Sequence, residues 1–220
     1  MPEFKVVISD PKAKADKGIS VKVIGDSELK YGVDEKEGRK IPKAKINPQL
    51  LKILNAELGF ITIRIWKSKE SREKVNFTFH AVPDESLEIQ VIKVPEDLLR
   101  DKLGTSEVIG EVFRTKSFQT VVSGDKAQQL LGLKIGDRID GSIVGLPGKI
   151  LEIRGGSDSS GFPMRPDIPG GIKKRVLLSS PPGFHPRENG ERRRKTVRGN
   201  MIVEDTVQIN TVIIYHQYKR

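Results

Sequence analysis

Residues Lys116–Pro147 read KSFQTVVSGDKAQQLLGLKIGDRIDGSIVGLP. Phe118–Val122 alternates apolar and polar residues, the pattern of a strand buried on one face. Gly124-Asp125 interrupts that run, and KAQQLLGL then places its leucines at helical spacing. Gly136-Asp137 turns the chain into a further alternating stretch, Arg138–Ile143, and Ile150–Ile153 continues the sheet. Strand, short helix and strand thus follow one another across Gly-Asp turns, which is the texture of a small β-rich domain.

The same texture extends toward the N-terminus. Strands are expected at 4–8, 19–24, 60–66, 75–82, 88–94 and 108–113, with charged loops at 25–44 and 67–74. Asn47 followed by Pro48 is a helix start for PQLLKILN, and a second short helix runs from Pro95 through EDLLRDKL to Gly104. Near 47–66, 95–113 and 124–144 a short Leu-Leu helix leads into a strand, a weak repeat equally readable as three ordinary β–α–β turns. Toward the C-terminus, RGGSDSSGFPMRPDIPGG (154–171) and LSSPPGFHPRENGERRRKTVRGN (178–200) consist almost wholly of loop formers and arginines. Loops of that length in a compact domain are usually functional. Strands at 174–178 and 196–203 bracket the second, and a last strand is expected at 206–215.

The 220 residues include 39 Lys plus Arg against 29 Asp plus Glu, a net charge of +10. With no Cys and three His, the chain lacks the ligands for a thiolate or multi-histidine metal centre, and no cofactor fingerprint or catalytic triad spacing is present. No apolar run is long enough to cross a membrane, and the opening MPEFKVVISDPK is not a signal peptide, so a cytoplasmic protein is expected. The charge is unevenly placed: residues 1–140 hold 25 basic and 22 acidic side chains, whereas residues 141–220 hold 14 and 7. The second set clusters at Lys173, Lys174, Arg175 and at Arg187, Arg192, Arg193, Arg194, Lys195, Arg198, with only Glu188 and Glu191 nearby. Arginine forks onto phosphates and stacks on bases, so this clustering points to nucleic acid.

Each block has a physical reading. In the first, Gly155, Gly156 and Gly161 permit unusual backbone or close approach, Asp158 locks the loop through its own backbone, and Arg154 and Arg165 flank it as phosphate neutralisers. The loop lacks the Gly-Lys-Ser/Thr ending of a nucleotide-binding loop. In the second, Phe184 is either a pin onto the core or, with His185, a flat face for an unstacked base. Arg192–Lys195 on an extended strand would present cations to both sides.

The blocks I-R-G-G-S-D-S-S-G-F-P-M (153–164) and G-F-H-P-R-E-N-G-E-R-R-R-K-T-V-R-G-N (183–200), together with 116–147 and the opening FKVVISDPK, resemble the sixth small-subunit ribosomal protein of archaea and eukaryotes. The resemblance implies a structural, non-enzymatic constituent of the small ribosomal subunit, monomeric there, contacting ribosomal RNA and neighbouring ribosomal proteins. It also implies that the opening strand and the strand after Lys116 are neighbours. The expected fold is mainly β: a small barrel-like β domain with short helices from residues 1–12 and 115–220, and an inserted β-rich α+β domain with two short helices at 13–114. A DNA-binding regulator on a swapped-hairpin barrel, to which the helix–Gly-Asp–strand unit is faintly similar, is the alternative.

Overall fold

The computed structural model describes residues 2–13, 18–66 and 73–215. The strands are β1 (Glu3–Ser9), β2 (Ile19–Asp26), β3 (Lys43–Ile46), β4 (Phe60–Trp66), β5 (Lys74–Pro83), β6 (Val91–Pro95) and β7 (Glu107–Arg114). They continue with β8 (Ser117–Ser123), β9 (Arg138–Asp140), β10 (Ile150–Asp158), β11 (Lys173–Leu178), β12 (Arg193–Arg198) and β13 (Thr206–Ile214). Four short helices accompany them: α1 (Val33–Lys36), α2 (Pro48–Ile53), α3 (Glu96–Leu103) and α4 (Asp125–Gln128). The protein is mainly β.

The chain divides into two compact units, one of residues 1–9 and 119–220, the other of residues 10–118. The middle unit is a closed barrel in the order β2-β6-β3-β5-β4-β7. Alternation places Val21, Val23, Ile61, Ile63, Ile65, Ile92 and Val112 in its core, with Leu50 of α2 and Leu98 and Leu99 of α3 packed against them. Asn47 caps α2 by accepting the amide of Gln49 at 2.8 Å, and Gly104 ends α3 in the left-handed conformation at φ 71°.

The unit formed by the chain ends is built on an open five-stranded sheet, β8-β1-β13-β10-β9, plus a separate β11–β12 ribbon. Parallel pairing of β1 with β13 joins the two ends of the chain, and Phe4, Val6 and Ile8 are fully buried. The closed barrel therefore lies in the middle unit, not in the unit carrying the basic segments.

Several local expectations shift. The charged 25–44 stretch contains α1 and the start of β3. The helix expected from Lys126 is one turn only, and the strand at 138–143 ends at Asp140, where a 3-10 turn begins at Gly141. The expected loop at 154–171 is strand as far as Asp158: Gly155, Gly156, Ser157 and Asp158 pair with Asn210, Ile209, Gln208 and Thr206 of β13, with register shifts between Ile153 and Gly155 and between Ser157 and Asp158. Crowding accounts for Gly156, whereas a Cβ on Gly155 would meet nothing within 4 Å. A Cβ on Gly156 would collide with the backbone carbonyl of Gln208. Residues 67–72 of the expected charged turn lie outside the described residues.

Candidate nucleic-acid interface

Strands β11 and β12 form an antiparallel ribbon in which Lys174 faces Val197, Val176 faces Lys195, Leu178 faces Arg193, Arg175 faces Thr196 and Leu177 faces Arg194. Side chains alternate between the two faces. One face carries Val176, Leu178 and Val197 onto a small core with Ile168 and Phe184, and also bears Lys174, Lys195 and Arg193. The opposite face presents Arg175, Leu177 and Arg194. The ribbon thus displays exposed cations on both faces, held by a hydrophobic seam. Among the described residues Lys174, Arg175, Arg187, Arg192, Arg194 and Lys195 have no acidic partner. Arg193 pairs with Glu191 at 2.8 Å. Glu191 also accepts the amide of Arg187 at 2.7 Å, and that bond, ahead of the Arg193 charge, holds its carboxyl below the usual value.

Three residues expected at the interface do other work. Arg198 is buried: its Nε donates to Asp158 at 2.9 Å, Nη1 to the Gly171 carbonyl at 3.0 Å and Nη2 to Asp205 at 2.5 Å. All three of its nitrogens donate inside the fold, which makes it a brace between the two segments. Arg165 is a second brace. Its guanidinium pairs with Asp167 at 2.8 Å and donates to the Pro182 carbonyl at 2.8 Å, which fixes the start of the connection between β11 and β12. Phe184 is buried in the ribbon's core, packed with Ile168, Leu178 and Val197. His185 beside it is exposed. Arg154 is exposed on β10 and pairs with Glu152 at 3.0 Å, on a different strand from the ribbon.

Asp158 ties the first block to the second. One carboxylate oxygen accepts the amides of Ser160 at 3.0 Å and Phe162 at 2.7 Å, closing the tight turn. The other accepts Arg198 and lies 3.5 Å from the Lys173 ammonium. Burial pushes the Asp158 carboxyl up, but the hydrogen bonds from Arg198 and Phe162 and the charge of Lys173 outweigh it and hold the group below its usual value. Gly161 occupies the left-handed region at φ 79° within the turn. Lys173 is only half free: it bonds Ser160 Oγ at 3.2 Å and sits 4.7 Å over the Phe162 ring. Asp205 and Asp167, the outer partners of the two braces, were not singled out in the sequence; Asp167 is only two residues from Arg165, a local pairing that the spacing itself offered, whereas Asp205 reaches Arg198 across the turn between β12 and β13.

A family model described as ribosomal protein S6e matches residues 107–220. Proteins named small ribosomal subunit protein eS6 match nearly the whole chain. That of Hyperthermus butylicus is 59% identical over 216 residues, covering 98% of each chain. That of Staphylothermus marinus is 51% identical, covering 98% of this chain and all of its own. That of Sulfolobus acidocaldarius is 41% identical over 215 residues. The middle unit is therefore shared with these relatives, although the family model begins only at residue 107. This full-length similarity sets aside the reading as a DNA-binding regulator, and the chain belongs to the ribosomal protein S6e family, in its archaeal form.

Proposed function

We propose that the chain binds small-subunit ribosomal RNA through the β11–β12 ribbon and the connection between its strands, as a single copy on the cytoplasmic ribosome beside neighbouring ribosomal proteins. The family is one of structural, non-enzymatic proteins of the small subunit. One observation carries the finer reading: Lys174, Arg175, Arg194 and Lys195 stand exposed on both faces of one ribbon without acidic partners among the described residues. Unpaired cations so close together repel one another, and a polyanion removes that repulsion while releasing its own counterions. Arg187, Arg192, Arg193 and exposed His185 extend the surface.

Recognition by such a ribbon reads phosphate geometry and RNA shape more than sequence. Sucrose-gradient sedimentation tests the reading. The wild-type chain co-sediments with small subunits, and replacement of Arg192, Arg193, Arg194 and Lys195 by Ala releases it. In filter binding the same variant has a slope of log K against log salt shallower by roughly 0.7–0.9 per lost contact. An unchanged slope would remove the tetrad from the interface.

A further inference from the structure

The middle unit carries a second face with the chemistry of RNA recognition. Along β4 and β5, Ile61, Ile63 and Ile65 point into the barrel core, so the alternate residues point outward. Those residues pair as Thr62 with Thr78, Arg64 with Asn76 and Trp66 with Lys74. Strand β7 adds Phe113 opposite Thr62 and Glu111 opposite Arg64. The Thr62–Thr78 and Arg64–Asn76 pairs and Phe113, with Lys116 and Ser117, line an open cavity of about 430 Å³, and the Trp66–Lys74 pair continues the same face beside it.

Its electrostatics are unusual for a structural surface. The Arg64 guanidinium lies over Phe113, its central carbon 4.9 Å from the ring centroid, and its Nε is buried with no hydrogen-bond partner among the described residues. Its one acidic neighbour among the described residues, Glu111, is 3.5 Å away. A buried donor left unpaired is destabilising unless something outside the chain completes it. The Lys116 ammonium has no acidic partner among the described residues, and Lys74 sits 5.7 Å over Trp66, which is 38% exposed. One aromatic ring, two cations and a row of hydroxyl and amide groups around the cavity, with a second ring and a third cation beside it on the same face, are the elements with which sheet faces hold unpaired nucleotides.

We infer that this β4–β5–β7 face binds single-stranded RNA, with a phosphate on Arg64 and Lys116 and a base against Trp66 or the Arg64–Phe113 stack. It is a contact separate from the ribbon and stands whether or not the ribbon binds RNA. A cavity of that size and an aromatic lining favour an unstacked base over a duplex, whose bases are already stacked.

Trp66 is the chain's one tryptophan, so its fluorescence reports on this face alone. The full chain is titrated with a short oligouridylate and, separately, with duplex RNA. The single strand is expected to quench Trp66, the duplex to do so far less. Arg64→Ala with Lys116→Ala should weaken the quenching about tenfold and make its salt slope shallower by about 0.7 per lost contact. Arg64→Lys, which keeps the charge and loses the fork, should fall between, and serves if the alanine variant unfolds. Replacing Arg175, Arg194 and Lys195 by Ala should leave the quenching intact, so failure of the ribbon and failure of this face are separable. No quenching at the highest attainable RNA concentration, equal quenching by duplex, or quenching indifferent to Arg64 and Lys116 would each overturn the inference. Quenching by polyglutamate in place of RNA would also overturn it, by making the face a site for acidic peptide.

Discussion

The Asp158 carboxylate accepts the Nε–H of Arg198 at 2.9 Å, and the two side chains are only 1% and 9% exposed. The bond joins the glycine-rich turn to the end of the basic ribbon, two segments 40 residues apart. Removing one member of a buried pair leaves the other charged and desolvated, which typically costs about 3–5 kcal/mol. Arg198→Ala should therefore lower Tm strongly. Arg194→Ala, four residues earlier and exposed, should change stability by less than about 0.5 kcal/mol. Equal melting of the two variants would mean that Arg198 is no brace.

The same pair makes the fold sensitive to acid in a defined direction. Asp158 is held below its usual value in the folded state, so the unfolded chain takes up its proton first as pH falls. Its stabilising contribution is complete above the unfolded value of about 3.9 and is lost as pH falls through the lower folded value. Denaturant midpoints measured from neutral pH downward should fall through that window in the wild type. In Asp158→Asn the fall should be shallower, from a lower starting stability. Parallel pH curves would place the acid sensitivity on other carboxylates.

Much of this was legible in the residues, and what was not has physical causes. Alternation located β1, β5, β8 and β13, because each buries one face. The Asn47-Pro48 cap and Gly104 stop were visible because caps are local chemistry. Gly156 misled, since glycine marks both a loop and a strand pressed against its neighbour. Arg198 looked like the arginines before it. Its partner Asp158 lies 40 residues upstream, and no local pattern announces a long-range ion pair. The location of the closed barrel was likewise non-local, depending on parallel pairings such as β2 with β6 and β3 with β5.

The two glycines of the first block are needed for different reasons. Gly156 faces the Gln208 carbonyl across the β10–β13 ladder, so even a methyl group collides with backbone. Gly161 has open space but a φ of 79°. Gly161→Ala should cost about 1 kcal/mol, the usual strain of a side chain in that region. Gly156→Ala should cost more, about 2–4 kcal/mol, because a ladder must move. Chemical denaturation ranks the two, and the reverse order would contradict the packing.

Binding and bracing should separate cleanly among the arginines. Arg175→Ala and Arg194→Ala should weaken RNA binding and flatten its salt dependence while Tm stays put. Arg165→Ala should lower Tm, because it unties the connection at Pro182, and should reduce binding only through disorder of that segment. At a temperature where the variant is folded, its salt slope should match the wild type. A slope reduced as in Arg194→Ala would put the Arg165 guanidinium on the RNA.

The middle unit should fold without the ends, and the ends without the middle. We propose that residues 13–114 are an insertion between two neighbouring strands of the end unit. The chain leaves and re-enters at nearly one point: the amide of Asp10, just past β1, donates to the carbonyl of Lys116, just before β8, at 2.8 Å. Strands β1 and β8 are neighbours in the sheet, so a short Gly-containing turn from Pro11 to Lys116 spans the gap. Closing a shorter loop costs less entropy. One contact works against the shortened chain: Phe118 stacks on Phe60 of β4, with centroids 4.0 Å apart, and loses that partner. Such pairs contribute about 0.5–1.5 kcal/mol beyond area burial, so the shortened protein should be less stable than the full chain but folded. Phe118→Thr in that background should lower its tendency to associate, by removing the bared ring while keeping a strand former. Residues 10–118 alone should form the six-stranded barrel, which has a continuous core of its own. Circular dichroism and amide dispersion of the two pieces provide the check. If the joined ends give dispersed amides and hold small-subunit RNA, the barrel is an insertion. If they collapse without it, the sheet depends on the middle unit and the two fold as one.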